Sequence, residues 1–167
     1  MMDTVIPALQ TLIKTACASR LNPDSVYVNQ EFTPAKDECP CVIISGNATD
    51  GQRPHTASDQ FKFSVVIRVV TDRTASMSEN GMPNNISQSW LDLVKLIEET
   101  DVDAGGGPKV DTVLGCLMKQ SNIANQEWQY NMNPKVNYRV PQPPGDWYYV
   151  YAEITLDFFT KEVQRHQ

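Results

Sequence analysis

The chain has 167 residues, of which 41% are hydrophobic and 20% charged, and 14 Lys and Arg against 20 Asp and Glu leave a net charge of −6. That length suits one domain with a real core and no need of disulfide staples, and the apolar content excludes a disordered chain. No stretch approaches the ~20 apolar residues of a membrane span, and an acidic chain without a basic run is unsuited to wrapping nucleic acid.

Val5, Ile6, Leu9, Leu12, Ile13 and Ala16 recur at helical spacing, with Thr4 as the expected N-cap and Pro7 in the first turn. Asn22-Pro23-Asp24 ends that helix, and Val26 to Val28 reads as a short strand. Cys41 to Ser45 is a second strand, flanked by Pro40 and Gly46. Residues 46–60 are polar and rich in turn formers, so they are expected to be a long exposed hairpin loop. Phe61, Phe63, Val65, Ile67 and Val69 then line one face of a strand. Lys62, Ser64 and Arg68 take the other face, where Val66 and Val70 hint at partial cover.

Ile86, Trp90, Leu93, Val94 and Ile97 form a second helical stripe, started by Asn85 and Gln88 in the manner of a capping box and stopped by Gly105 to Pro108. Val110, Val113, Leu114, Leu117 and Met118 give a shorter helix. Residues 121–146 hold Trp128, Tyr130, Tyr138 and four prolines, and read as an irregular excursion with one strand near Trp128 to Met132. The last element is a strand with Tyr148, Val150, Ala152, Ile154, Leu156 and Phe158 inward and Tyr149, Tyr151, Glu153, Thr155 and Asp157 outward. The predicted core is Leu9, Leu12, Ile13, Phe63, Val65, Ile67, Trp90, Leu93, Ile97, Ile154, Leu156 and Phe158.

Chemistry-bearing patterns are scarce. Cys39-Pro40-Cys41 is too tight for a zinc knuckle and has no second ligand pair, so Cys17, Cys39, Cys41 and Cys116 are expected to be reduced thiols. The first residues lack the cationic region of a secretory signal, which fits a reducing cytoplasm and leaves the sequons at Asn47 and Asn85 without weight. Asp101 and Asp103 with Gly106 fail as a calcium loop, because Thr112 stands where a bidentate Glu is required. Together with Glu98 and Glu99 they read as a solvated helix end. Gly105 to Gly107 is not a phosphate loop. Glu153 and Asp157 are roughly 13 Å apart along one strand, too far for paired acid–base work. No catalytic residue, metal ligand or cofactor site is expected. The aromatic run Trp147 to Tyr151 is the more informative feature, since Tyr and Trp favour interfaces, although a second packing layer would also explain it.

Together these elements give an α+β domain spanning 1–167: a mainly antiparallel sheet of about four strands with two or three helices packed on one face. The opening helix from Ile6 to Ile13, Asp24 to Val28, Cys39 to Ser45, Phe61 to Thr71, Ser89 to Ile97 and Tyr149 to Phe158 form a pattern that resembles the tail terminator (tail completion) proteins of tailed bacteriophages. The resemblance covers residues 4–100 and 147–162, whereas 101–146 is longer than in that family. It implies a non-enzymatic virion protein, made in the host cytoplasm. Such proteins form a ring, typically hexameric, that caps the head-proximal end of the tail tube, stops tube growth and docks the neck. The implied partners are further copies of the chain, the tube protein, neck or head-completion proteins and, in tails that have one, the sheath. DNA would be only passing cargo, which an acidic chain with 22 Asn and Gln suits. Candidate interface residues are Arg53 and His55 in the polar loop, Trp128 and Tyr130 in the excursion, and Tyr149 and Tyr151 on the last strand. The alternatives are another neck or baseplate adaptor, or a small ligand-binding α+β domain.

Overall fold

A computed structural model describes residues 2–28, 34–50, 62–72, 88–102, 105–120, 123, 129–130, 134–139 and 149–159. Three helices lie along the described chain: α1 (Met2–Ala16), α2 (Gln88–Glu98) and α3 (Val113–Met118). The strands are β1 (Val26–Val28), β2 (Cys41–Asp50), β3 (Lys62–Asp72), β4 (Thr100–Asp101), β5 (Gly107–Pro108), β6 (Gln129–Tyr130), β7 (Lys135–Arg139) and β8 (Tyr149–Phe159). The fold is α+β, with a mostly antiparallel mixed sheet.

The sheet runs in the order β1-β2-β3-β8, and β6 and β7 share the far edge beside β8. Only the β1–β2 pair is parallel. Period-two alternation along the three long strands creates two unlike faces. Val42, Ile44, Phe63, Val65, Ile67, Val69, Val150, Ala152, Ile154, Leu156 and Phe158 all turn to the helix side and are buried. Phe63 and Phe158 sit opposite each other across β3 and β8, and their rings stack at 5.1 Å.

The helices supply the matching layer. From α1 come Val5, Ile6, Leu9 and Ile13, followed by Cys17 and Leu21; from α2 come Leu93, Leu96 and Ile97; from α3 come Val113, Leu114, Cys116 and Leu117. Of the predicted core, Leu12 and Trp90 are only partly buried and pack against it, while the other ten are buried. The side chain of Gln10 donates to the Val26 carbonyl at 2.7 Å, tying α1 to the edge strand.

Several boundaries differ from those expected. Helix α1 starts at Met2, so Thr4 lies inside it and Pro7 falls beyond the first turn. Pro7 therefore costs α1 an internal hydrogen bond, which the buried stripe offsets. Strand β2 does not stop at Ser45. Thr49 and Asp50 still pair with Phe63 and Lys62, and a bulge places Asn47 and Ala48 opposite Ser64. Polar composition hid this extension, because a strand with solvent on one face needs few apolar residues. The loop expected at 46–60 is thus shortened by five residues (46–50), and 51–61 lies outside the described residues. The same holds for the cap at Asn85.

The 121–146 segment is not irregular throughout. It carries β6 and β7, which pair with the end and the middle of β8. Trp128 falls outside the described residues, so the strand expected near Trp128 to Met132 appears only as the pair Gln129–Tyr130. Val136 and Tyr138 of β7 point to the helix side. There Tyr138 meets Trp90 at 5.3 Å between ring centroids, and its hydroxyl donates to Glu98. Burial and that carboxylate push the Tyr138 hydroxyl well above the usual tyrosine range.

The acidic helix end also proves organised. Beyond α2, strands β4 and β5 form a small ribbon whose turn holds Gly105 and Gly106 at φ of 90° and 82°, where glycine is the natural choice. Arg20, just after α1, clamps this region with a forked contact to Asp111 at 2.8 and 3.0 Å and a third contact to Glu99. Lys109 adds a 2.6 Å contact to Glu99. Glu99 is therefore an ion-pair partner rather than a solvated charge, and Glu98 holds a tyrosine.

Candidate functional site: the outer face of the sheet

The face opposite the helices carries Tyr27 on β1, Cys41, Ile43 and Ser45 on β2, Ser64, Val66, Arg68 and Val70 on β3, and the odd-numbered residues of β8 from Tyr149 to Asp157. Register sets them in rows across the sheet. One row reads Cys41, Val70, Tyr151, Arg139; the next reads Tyr27, Ile43, Arg68, Glu153, Asn137; a third reads Ser45, Val66, Thr155, Lys135.

At one end of this face Cys41, Ile43 and Val70 form a small buried cluster, with Tyr27, Cys39, Tyr149 and Tyr151 packed around it. The partial cover hinted at by Val70 is thus aromatic and comes largely from the same face. Tyr149 also has an internal anchor: its hydroxyl donates to the carbonyl of buried Pro34 at 2.6 Å. That contact draws the 34–40 segment, with its turn of 3-10 helix at Lys36–Glu38, over the end of the face. Tyr151 is held differently. It remains half-buried, and the Arg68 guanidinium lies 5.1 Å from its ring centroid. Arg68 also reaches Glu153 at 2.7 and 3.1 Å, so an aromatic, a cation and an anion stand side by side. At the other end Ser64 donates to Asp157 at 2.6 Å.

Between these groups runs an open groove of about 400 Å³ lined by Ile43, Ser45, Gly46, Val66, Arg68, Glu153 and Thr155. Its floor is β-branched and its walls are charged, the make-up of a surface that a protein segment can cover. Within it the Glu153 carboxylate is paired with Arg68 at 2.7 Å.

A second cavity of similar volume lies beside α2, lined by Arg20, Cys39, Pro40, Thr71, Asp72, Ser89, Asp92, Lys95 and Leu96. Arg20 is committed to Asp111 and Glu99, and the Thr71 hydroxyl donates to the Ser89 carbonyl at 3.2 Å. Cys39 is the half-buried thiol here, and its hydrogen bond with Cys41 holds it below the usual thiol range, while the same contact and burial push Cys41 up. Cys17 and Cys116 form an equivalent contact inside the core, with Cys116 pushed up by Cys17 and by burial. All four cysteines are free thiols. Among the described residues no group of three or more His, Cys, Asp or Glu is placed to hold a metal ion.

The structure therefore brings together Tyr149 and Tyr151 of the residues singled out by sequence. Tyr130 sits on β6 opposite Phe158, away from that pair, and Arg53, His55 and Trp128 lie outside the described residues. Sequence reasoning missed Arg68, Tyr27 and the Pro34 contact. Arg68 was legible as a polar-face residue of β3, but its alignment with Glu153 needed the register. No protein-family model matches the chain, and no curated protein matches it in sequence.

Proposed function

We propose that the chain is a structural virion protein, a tail terminator that assembles as a ring on the head-proximal end of a phage tail tube. In this reading it halts tube growth and offers the neck a docking surface, with no catalysis of its own. The observation that carries the reading is the outer sheet face, where Tyr151, Arg68 and Tyr27 stand partly exposed above an apolar floor while α1, α2 and α3 pack on the opposite side. Tyr and Arg in partly desolvated positions anchor protein interfaces, and one such side chain can supply more than ~2 kcal/mol of binding energy. The acidic, amide-rich composition supports a lumen that does not hold passing DNA.

The deciding measurement is the mass in solution across a range of protein concentrations, paired with Tyr151→Glu. A closed assembly of several subunits is expected. The variant should keep the fold and lose assembly or tube capping, giving overlong or headless tails in virions. A strict monomer at every concentration overturns the ring. A neck or baseplate adaptor would use the same face, and is told apart by which end of the tail fails. The ligand-binding alternative draws on the cavity beside α2, where Lys95 has no ion-pair partner among the described residues. Saturable binding of a small molecule there, lost in Lys95→Glu and untouched by Tyr151→Glu, would favour it.

A further inference from the structure

The two edges of the sheet differ in sign. On the β7 edge, Lys135, Asn137 and Arg139 are exposed, and no described residue pairs with either cation. The far side of β7, away from β8, has no described strand against it. On the opposite edge, exposed Asp24 stands two residues before β1, and the turn at Lys36–Glu38 carries exposed Asp37 and half-buried Glu38. Burial first, and then the Glu38 carboxylate, hold the Tyr27 hydroxyl above the usual tyrosine range, in keeping with a turn that lies near β1.

On the side of β1 away from β2, too, no described strand is paired. The Val26 carbonyl accepts from the Gln10 side chain of α1 at 2.7 Å, so this hydrogen bond ties the helix to the strand's first residue. Strand direction fits as well. β1 runs with β2, and each later step across β3, β8 and β7 is antiparallel, so β7 runs opposite to β1. Laying the β7 edge of one copy against the β1 edge of the next therefore makes an antiparallel pair.

From these features we infer that the occupant of each edge is a second copy of this chain: the basic β7 edge of one subunit pairs with the acidic β1 edge of its neighbour, head to tail. The inference deepens the ring reading and rests on it. Contacts of this heterologous kind close into rings when the rotation allows, whereas a like-to-like edge pair would stop at a dimer. Cations on an edge strand ordinarily guard a monomer against sheet-to-sheet pairing. Here the guard is selective. It repels a second β7 edge and attracts the edge of opposite sign, which specifies the head-to-tail arrangement against the like-to-like one. The outer face remains free for the tube or neck.

The test is charge exchange, read by sedimentation or light scattering of the full chain at low and high salt. Lys135→Glu with Arg139→Glu should weaken subunit association roughly tenfold or more, since two exposed attractive contacts become repulsive. Asp24→Lys with Asp37→Lys should weaken it comparably. Mixing or combining the two reversed sets should restore association, and high salt should weaken the wild-type contact. These are surface changes, so the fold is checked by unaltered thermal melting. If the wild-type chain assembles but ignores both reversals, the edge pairing is overturned while the ring stands. If the chain never assembles, the ring reading fails and this inference with it.

Discussion

Replacing Tyr149 by Phe removes one oxygen from the side chain whose hydroxyl donates to the Pro34 carbonyl at 2.6 Å. The ring stays, so its contact with the Cys41, Ile43 and Val70 cluster stays as well. A typical internal hydrogen bond contributes ~1 kcal/mol net, and leaving a buried acceptor unpaired costs ~1–3 kcal/mol. Pro34 is buried, but its carbonyl lies at the margin of the face, where water can replace the lost donor in part. The expected loss is therefore about 1–2 kcal/mol, or a fall in Tm of roughly 2–8 °C for a chain of this size. Tyr149→Ala removes the ring too and should cost clearly more, though less than the ~3–5 kcal/mol of a fully buried aromatic. Urea unfolding gives the energies, and amide exchange at Ala35 to Cys39 reports whether the 34–40 segment loosens. If Tyr149→Phe melts and exchanges like the wild type, Tyr149 is not the anchor of that segment. The result also governs how assembly variants are read. Tyr149→Glu would damage the subunit itself, so Tyr151 is the cleaner probe of an interface.

Three further outcomes follow from geometry elsewhere. A Cβ on Gly115 would stand 1.9 Å from the Lys109 carbonyl oxygen, so Gly115→Ala should displace the start of α3 and cost ~1–3 kcal/mol or more; a stability unchanged in urea would contradict that close approach. A thiol reagent should modify Cys39 rapidly in the native protein, and Cys17, Cys41 and Cys116 only after unfolding; four equally fast thiols would refute the buried placement. Lys109 and then Arg20 hold Glu99 below its ordinary pKa of 4.5, and Arg20 holds Asp111 below its ordinary 3.8. Depressed carboxylates stabilise the fold above their unfolded values and lose that contribution as pH falls through the folded ones. Stability should thus decline from about pH 4.5 downward, less steeply in Arg20→Gln; both groups face solvent, so the difference is small, and parallel acid curves would remove the clamp from the explanation.

The fold was legible wherever burial imposes a period. Phe63, Val65 and Ile67 alternate because one side of β3 meets the helices, and Leu9 and Ile13 repeat at four because one side of α1 meets the sheet. Edges and extensions were not legible, for the same reason. Gly46, Thr49 and Asp50 are held in β2 by pairing with β3, and backbone pairing leaves no mark on side-chain polarity. Among the described residues β6 and β7 pair with β8 alone, so Lys135, Asn137 and Arg139 are free to be polar. The start of α1 was misplaced because Pro7 is most at home in a first turn, and a strong apolar stripe overrode that preference.

The candidate surface shows the same division in a sharper form. Tyr149 and Tyr151 occupy equivalent places in the alternation of β8, and sequence gives no reason to treat them differently. Their fates are set by what lies across the sheet. Beyond Asp72, the cross-strand neighbour of Tyr149, comes the 34–40 segment, which accepts the hydroxyl and makes the residue part of the subunit. Tyr151 faces Val70 and lies beneath Arg68, whose other partner is Glu153. That trio has satisfied its charges within the subunit yet keeps aromatic surface exposed, so a partner can cover it without stranding a buried ion. A face built this way is stable alone and adhesive at once, and it lies between two edges of opposite charge. In the ring proposed above, the edges would join the copies and this face would be left for the tube or neck.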